Sequence, residues 1–108
     1  MDENQTLENF VLELRRGALI LAVMSQLQSE QYGYSLMKTL ADNGLEIDQG
    51  TLYPLLRRLE AQGLLVSSWR IDDPRPRRYY TLNDNGKRLL SKLKEEWKKL
   101  TNTIDNLL

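Results

Sequence analysis

The stretch from Asp48 to Gly63 constrains the fold more than any other part of the chain. Leu52, Leu55, Leu56 and Leu59 recur at three- and four-residue spacing, which puts them on one face of a helix. Asp48 is a good N-cap, with a carboxylate able to accept the first helical N–H groups, and Gly63 supplies a C-cap. A helix over residues 48–62 is therefore expected. Pro54 falls inside it; an interior proline costs about 3 kcal/mol. The penalty is small in the opening turns, where the first N–H groups have no intrahelical acceptor. Directly after Gly63, the runs Leu64–Ile71 and Arg78–Asn83 carry Val66, Trp69, Ile71, Tyr79, Tyr80 and Thr81, all strand-favouring types. Asp72-Asp73-Pro74-Arg75-Pro76-Arg77 joins them, and its prolines keep the link extended. A hairpin with a basic tip should follow the helix.

Three more helices complete the pattern. Leu7 to Leu27 is helical, with Thr6 as N-cap and Phe10, Val11, Leu14, Ala18, Leu21 and Ala22 at helical spacing. Its run from Ala18 to Met24 is apolar all round and must be covered on several sides. Tyr32 to Asp42 is a short helix, lined inside by Leu36, Met37 and Leu40 and closed at Asn43-Gly44, with Ser29, Glu30 and Gln31 as the preceding turn. Asn83 caps a last helix running from Asp84 to the end. There Leu90, Leu93, Trp97, Leu100, Ile104 and Leu107 alternate gaps of three and four, a heptad seam under three heptads long that needs a partner helix. Two short helices followed by a hairpin make a winged helix-turn-helix. The fold class is mainly α with a small β-hairpin. Residues 1–83 form the winged domain with its N-terminal helix, and residues 84–108 form a dimerisation helix.

With 108 residues there is room for one domain. The chain has no cysteine and no histidine, which excludes disulfides, thiolate nucleophiles, zinc fingers and histidine-based metal sites. No carboxylate pair is placed with a nucleophile in an evident cleft. We therefore expect no enzyme, no cofactor and no metal. The longest apolar run, Ala18 to Met24, is too short to cross a bilayer and is not a secretory leader, so a cytoplasmic protein without membrane contact is expected. Formal net charge is zero, but the charge is unevenly spread. Residues 1–30 carry Asp2, Glu3, Glu8, Glu13 and Glu30 against Arg15 and Arg16, whereas residues 65–108 hold ten Lys and Arg against six Asp and Glu.

In a winged helix-turn-helix the second helix of the pair enters the major groove. Its opening turn must be small and polar; Gln49, Gly50 and Thr51 fit. Tyr53, Pro54, Arg57 and Arg58 lie off the leucine stripe and join the expected contact set for double-stranded DNA. Tyr34 and Ser35, at the start of the shorter helix, offer free N–H groups to phosphate, with Lys38 beside them. Arg75, Arg77 and Arg78 on the wing can reach the backbone or a neighbouring groove. Plainer readings stand beside these: Tyr53 as a core aromatic, Gln49 to Thr51 as simple capping, Lys38, Arg57 and Arg58 as solvated residues, and the wing arginines as countered by Asp72 and Asp73. A winged-helix module that binds another protein rather than DNA is the competing function, supported by the zero net charge.

Tyr32-Gly33-Tyr34, the block Gly50-Thr51-Leu52-Tyr53-Pro54-Leu55-Leu56-Arg57-Arg58-Leu59-Glu60, Gly63-Leu64-Leu65 and Arg77-Arg78-Tyr79-Tyr80-Thr81-Leu82 resemble the PadR-like transcriptional regulators, over roughly residues 15–100. The resemblance implies a bacterial repressor with a winged-helix head, working as a homodimer on a palindromic operator and released by a small molecule. The chain is similar to the short subgroup with a single C-terminal helix. In its multidrug-responsive members a tryptophan on that helix faces its dimer mate across a flat apolar pocket. Trp97 matches that place, which makes it the candidate contact for a small planar aromatic effector; its plainer reading is dimer core. The dimer interface expected from the apolar stripes comprises Phe10, Leu14, Leu21, Leu90, Leu93, Trp97, Leu100 and Ile104.

Overall fold

The computed structural model describes residues 2–71 and 74–108. Asp72 and Asp73, which the plainer reading sets against the wing arginines, lie outside the described residues. The element order is α1 (Glu3–Ser25), β1 (Gln31–Tyr32), α2 (Gly33–Asp42), α3 (Gln49–Ala61), β2 (Leu65–Arg70), β3 (Arg77–Leu82) and α4 (Asp84–Leu107). The mainly helical, winged architecture is as the sequence indicates. Its sheet has three antiparallel strands in the order β1-β3-β2.

Two sequence expectations need correcting. Helix α1 begins at Glu3, because Asp2 rather than Thr6 is the N-cap: Asp2 Oδ1 accepts from the Gln5 amide at 2.7 Å. Thr6 sits in the first turn, its hydroxyl donating to the Asp2 carbonyl at 3.0 Å. Gln31, read as a turn residue, belongs to β1, which pairs Gln31 with Tyr80 and Tyr32 with Tyr79.

Both short helices end in the same way. Gly44 (φ 89°) and Gly63 (φ 75°) adopt the left-handed conformation that L side chains avoid. After each, the chain reverses and folds a residue back on the helix: the Leu45 amide donates to the Leu40 carbonyl, and the Leu64 amide to the Leu59 carbonyl. Gly63 thus delivers Leu65 straight into β2. Asn83 fastens the far side. Its side chain accepts from the Gly86 amide at 2.8 Å, capping α4, and donates to the Gly63 carbonyl at 2.8 Å. The Leu82 amide and Thr81 hydroxyl both donate to the Leu27 carbonyl, which ties β3 to the segment after α1.

The core lies where these elements meet. Val23, Met24 and Leu27 pack with Leu36 and Leu40 of α2, with Leu52, Leu56 and Leu59 of α3, and with Leu65, Tyr80, Leu82 and Leu90. Every side chain in this set is apolar or aromatic, as a core without buried charge requires. The leucine stripe of α3 is thereby turned inward, and the opposite face of that helix is left outside.

Candidate nucleic-acid interface

Helix α3 is held at its start by Asp48, whose Oδ1 accepts from the Thr51 amide at 2.8 Å. Gln49, Gly50, Thr51, Pro54, Arg57 and Arg58 are all exposed. Pro54 is the sixth residue of the helix, beyond the turn whose N–H groups are free in any helix. It therefore withholds a hydrogen bond from the Gly50 carbonyl, which is exposed and open to water, in keeping with a small penalty near the helix start. Arg57 and Arg58 make no ion pair or hydrogen bond among the described residues. Glu60, their near neighbour in sequence, is turned toward the wing: Arg78 pairs with it at 3.1 Å and the Ser67 hydroxyl donates to it.

Tyr53 is half-buried, and its ring lies against Gly33 at the first turn of α2. A Cβ at position 33 would fall 2.7 Å from Tyr53 Cζ and closer still to the hydroxyl oxygen. The glycine of Tyr32-Gly33-Tyr34 thus lets the first turn of α2 approach α3. Tyr34 is 65% exposed beside this contact. The Ser35 hydroxyl is engaged within the start of α2. Its oxygen accepts from the Tyr32 amide at 3.1 Å and sits 2.7 Å from Gln31 Oε1, closing the start of α2 on itself. Lys38 is engaged with Asp42 at 3.3 Å, across one turn of an exposed helix face.

The wing arginines separate into three environments. Arg78 donates to Ser67 Oγ at 3.0 Å and to Glu60, so its guanidinium braces the sheet against α3. Arg77 lies over the Tyr32 ring at 4.4 Å. Arg75 is exposed and has no ion pair or hydrogen bond among the described residues. Sequence reasoning missed the stack that supports this surface. Tyr32 and Tyr79 meet edge-on at 5.4 Å, and Arg70, paired with Glu30, covers Tyr79 at 4.5 Å. The signal is the strand period in Arg77-Arg78-Tyr79-Tyr80, which puts Arg77 and Tyr79 on one face, but the stack also needs the register that sets Ser68 opposite Tyr79 and Arg70 opposite Arg77. Between wing and helices the surface sinks into a cleft of about 610 Å³, reaching Tyr34, Tyr53, Trp69 and Arg75. Tyr80 lies at its floor, where burial pushes the phenol above the usual tyrosine value of 10.0 against the opposing pull of Arg78.

The long helices form a second surface. Exposure rises along α4: Leu90 is 8% exposed, Trp97 43% and Leu107 77%. Leu90 is therefore spent in the chain's own core, a correction to its place in the expected dimer seam. Leu21 and Leu93 are half-buried against that core, whereas Phe10, Leu14, Leu100 and Ile104 are exposed. Leu14, Leu21, Leu93, Trp97 and Leu100 border a groove of about 320 Å³ between α1 and α4, with Gly17 and Ala18 as its floor.

A family model described as the transcriptional regulator PadR-like family matches residues 20–92. The chain belongs to the PadR-like family of transcriptional regulators. This PadR-family chain is 40% identical over 80 residues to Transcriptional regulator Rv3488 of Mycobacterium tuberculosis, covering 73% of the chain and 75% of that protein. Its fold matches the crystal structure of a PadR family transcriptional regulator from Eggerthella lenta with a TM-score of 0.92 and 46% identity, over 96% of this chain and 93% of that one. A PadR-like regulator from Bacillus cereus matches at a TM-score of 0.78 and 28% identity, over 88% and 95%. The family match spans the Gly33–Tyr53 contact, α3 and the whole sheet, and stops before Trp97. No described helix of this PadR-family chain is long and apolar enough to cross a membrane.

Proposed function

We propose that this PadR-family regulator is a cytoplasmic repressor that binds a palindromic operator as a homodimer. Residues 1–83 are its DNA-binding head and residues 84–108 its dimerisation tail. Helix α3 enters the major groove with Gln49, Gly50 and Thr51 leading and Pro54 and Tyr53 at its flank. Arg57 and Arg58 take phosphates, and Tyr34 contacts the backbone. Arg75 and Arg77 reach the adjacent backbone from the wing. Ser35 and Arg78 act by holding α2 and the sheet in place, and Lys38 lies at the rim. The observation that carries this reading is the open, polar first turn of α3 beside two arginines that answer to no acid among the described residues.

The two chains pair through Phe10, Leu14 and Leu21 of α1 and Leu93, Leu100 and Ile104 of α4. Trp97 forms a wall for a planar aromatic effector whose binding releases DNA. An exposed apolar seam on a small domain supports this reading, because such a stripe is ordinarily covered. No catalytic role is proposed; the relatives are transcriptional regulators.

A gel shift on the fragment upstream of the protein's own gene tests the reading. A retarded band is expected at low salt, and its absence on every promoter fragment tried would overturn the proposal. Reversing Arg75 and Arg77 to Glu separates DNA binding from docking to another protein: DNA binding should collapse, whereas an apolar protein contact would survive. For the effector, the Trp69→Phe variant leaves Trp97 as the sole tryptophan. Quenching by a planar aromatic is expected, and unchanged emission across a broad compound panel would remove the effector.

A further inference from the structure

We propose that the cleft between the wing and the starts of α2 and α3 is a binding site for a nucleoside phosphate, a planar ring joined to a phosphate group. The cleft holds about 610 Å³, within the size range of small-molecule sites, roughly 300–1,000 Å³. Its walls are of two main kinds. Tyr34, Tyr53 and Trp69 are among its lining residues, and aromatic rings are the groups on which a flat heterocycle stacks. Arg75, Arg77 and Arg78 present guanidinium groups, whose forked donors match phosphate oxygens.

The three arginines are not equivalent. Arg78 is committed to Glu60, which leaves that carboxylate neutralised beside the cleft. Arg77 lies over the Tyr32 ring. Arg75 has no ion pair or hydrogen bond among the described residues and is the cation left to receive an anion. No carboxylate is among the described residues that line the cleft. The described lining thus favours a ring that carries its own negative charge. The inference rests on the operator reading in one respect: Tyr34, Tyr53 and Arg75 are assigned to both ligands, so nucleotide and DNA exclude each other.

Adenosine 5′-monophosphate, adenosine and ribose 5-phosphate are the probes. Calorimetric titration of the wild-type protein should show saturable binding of the monophosphate. The other two should bind at least about ten-fold more weakly, since each lacks one of the two recognised groups. In the Trp97→Phe variant, Trp69 emission should follow the same isotherm, and Arg75→Ala, on the exposed wing, should weaken binding about ten-fold, the effect of removing one charge-assisted hydrogen bond. Equal binding of monophosphate and ribose 5-phosphate, no saturable heat, or an unaltered Arg75→Ala isotherm would each overturn the site. A gel shift without nucleotide reports the operator reading separately. DNA binding without a nucleotide isotherm sinks the site alone. A nucleotide isotherm without DNA binding sinks the operator reading alone. Binding of both without competition contradicts the shared cleft.

Discussion

Gly33 and Tyr53 touch across the junction of α2 and α3, with no room for a Cβ between the glycine backbone and the phenol ring. Two motifs that stand twenty positions apart in sequence are thus one structural unit. Gly33 is the first residue of α2 and has no positive φ, so backbone conformation alone does not call for glycine there. Gly33→Ala should nonetheless destabilise the protein by about 1–3 kcal/mol, the usual effect of overpacking. Chemical denaturation of Gly33→Ala, Tyr53→Ala and the double variant checks this. In the Tyr53→Ala background the alanine at 33 should become neutral or stabilising; equal effects in both backgrounds would show that the two residues are uncoupled.

A second close approach joins α4 to the residue that leads from α3 into β2 and to the end of β3. A Cβ on Gly86 would lie 2.8 Å from Leu82 Cδ2 and nearer still to the Leu64 carbonyl oxygen, which is backbone and cannot swing aside. Gly86→Ala should therefore lower the melting temperature by more than about 4 °C, corresponding to a destabilisation above about 1 kcal/mol in a domain this size. Calorimetry against wild type measures it.

Arg57 and Arg78 should behave as opposites despite being the same residue type. Arg57 has no acidic partner among the described residues, so Arg57→Ala should leave stability within about 0.5 kcal/mol while weakening binding on every DNA sequence alike. It should also flatten the salt dependence by about 0.9 for each phosphate no longer neutralised. Arg78→Ala strips Glu60 of its cation. Because that pair is part-exposed, the stability decrease should stay near 1 kcal/mol or below. Parallel denaturation and anisotropy titrations separate the two roles.

Tyr80 provides a test at alkaline pH. Burial raises its pKa, so between the ordinary value of 10.0 and the higher folded value the native state holds a proton that the unfolded chain releases. Stability contributed by this group is complete below pH 10 and is lost as pH rises through the folded pKa. Tyr80→Phe should flatten the alkaline limb of the stability profile; an unchanged slope in urea denaturation above pH 10 would contradict the burial.

Much of this architecture is legible in the sequence, and the gaps have physical causes. The Asp48 and Asn83 caps and the leucine stripe of α3 are local signals, and they are where the pattern puts them. The start of α1 is misread because Asp2 and Thr6 are both competent caps four residues apart, and only the folded backbone shows Thr6 already inside the helix. The two-residue β1 carries no period to detect. Glu60 looks like a partner for Arg57 and Arg58, yet it pairs with Arg78, eighteen positions away, once the sheet packs on α3. Leu90 fits the heptad seam in spacing, but its depth in the core depends on where α4 begins, which Asn83 and Gly86 decide together.

The central claim is that a pair of chains presents the first turn of α3 and the partnerless Arg57 and Arg58 to DNA. Fluorescence anisotropy on the protein's own upstream fragment, titrated across salt, tests it most directly when run beside Gln49→Glu and Arg57→Glu variants. For about six to ten phosphates neutralised per dimer, affinity should fall roughly 10³- to 10⁵-fold between 50 and 200 mM salt, and both variants should bind far more weakly. Wild-type and variant curves that superimpose, or no binding at about 50 mM salt, where phosphate contacts are strongest, would contradict the account.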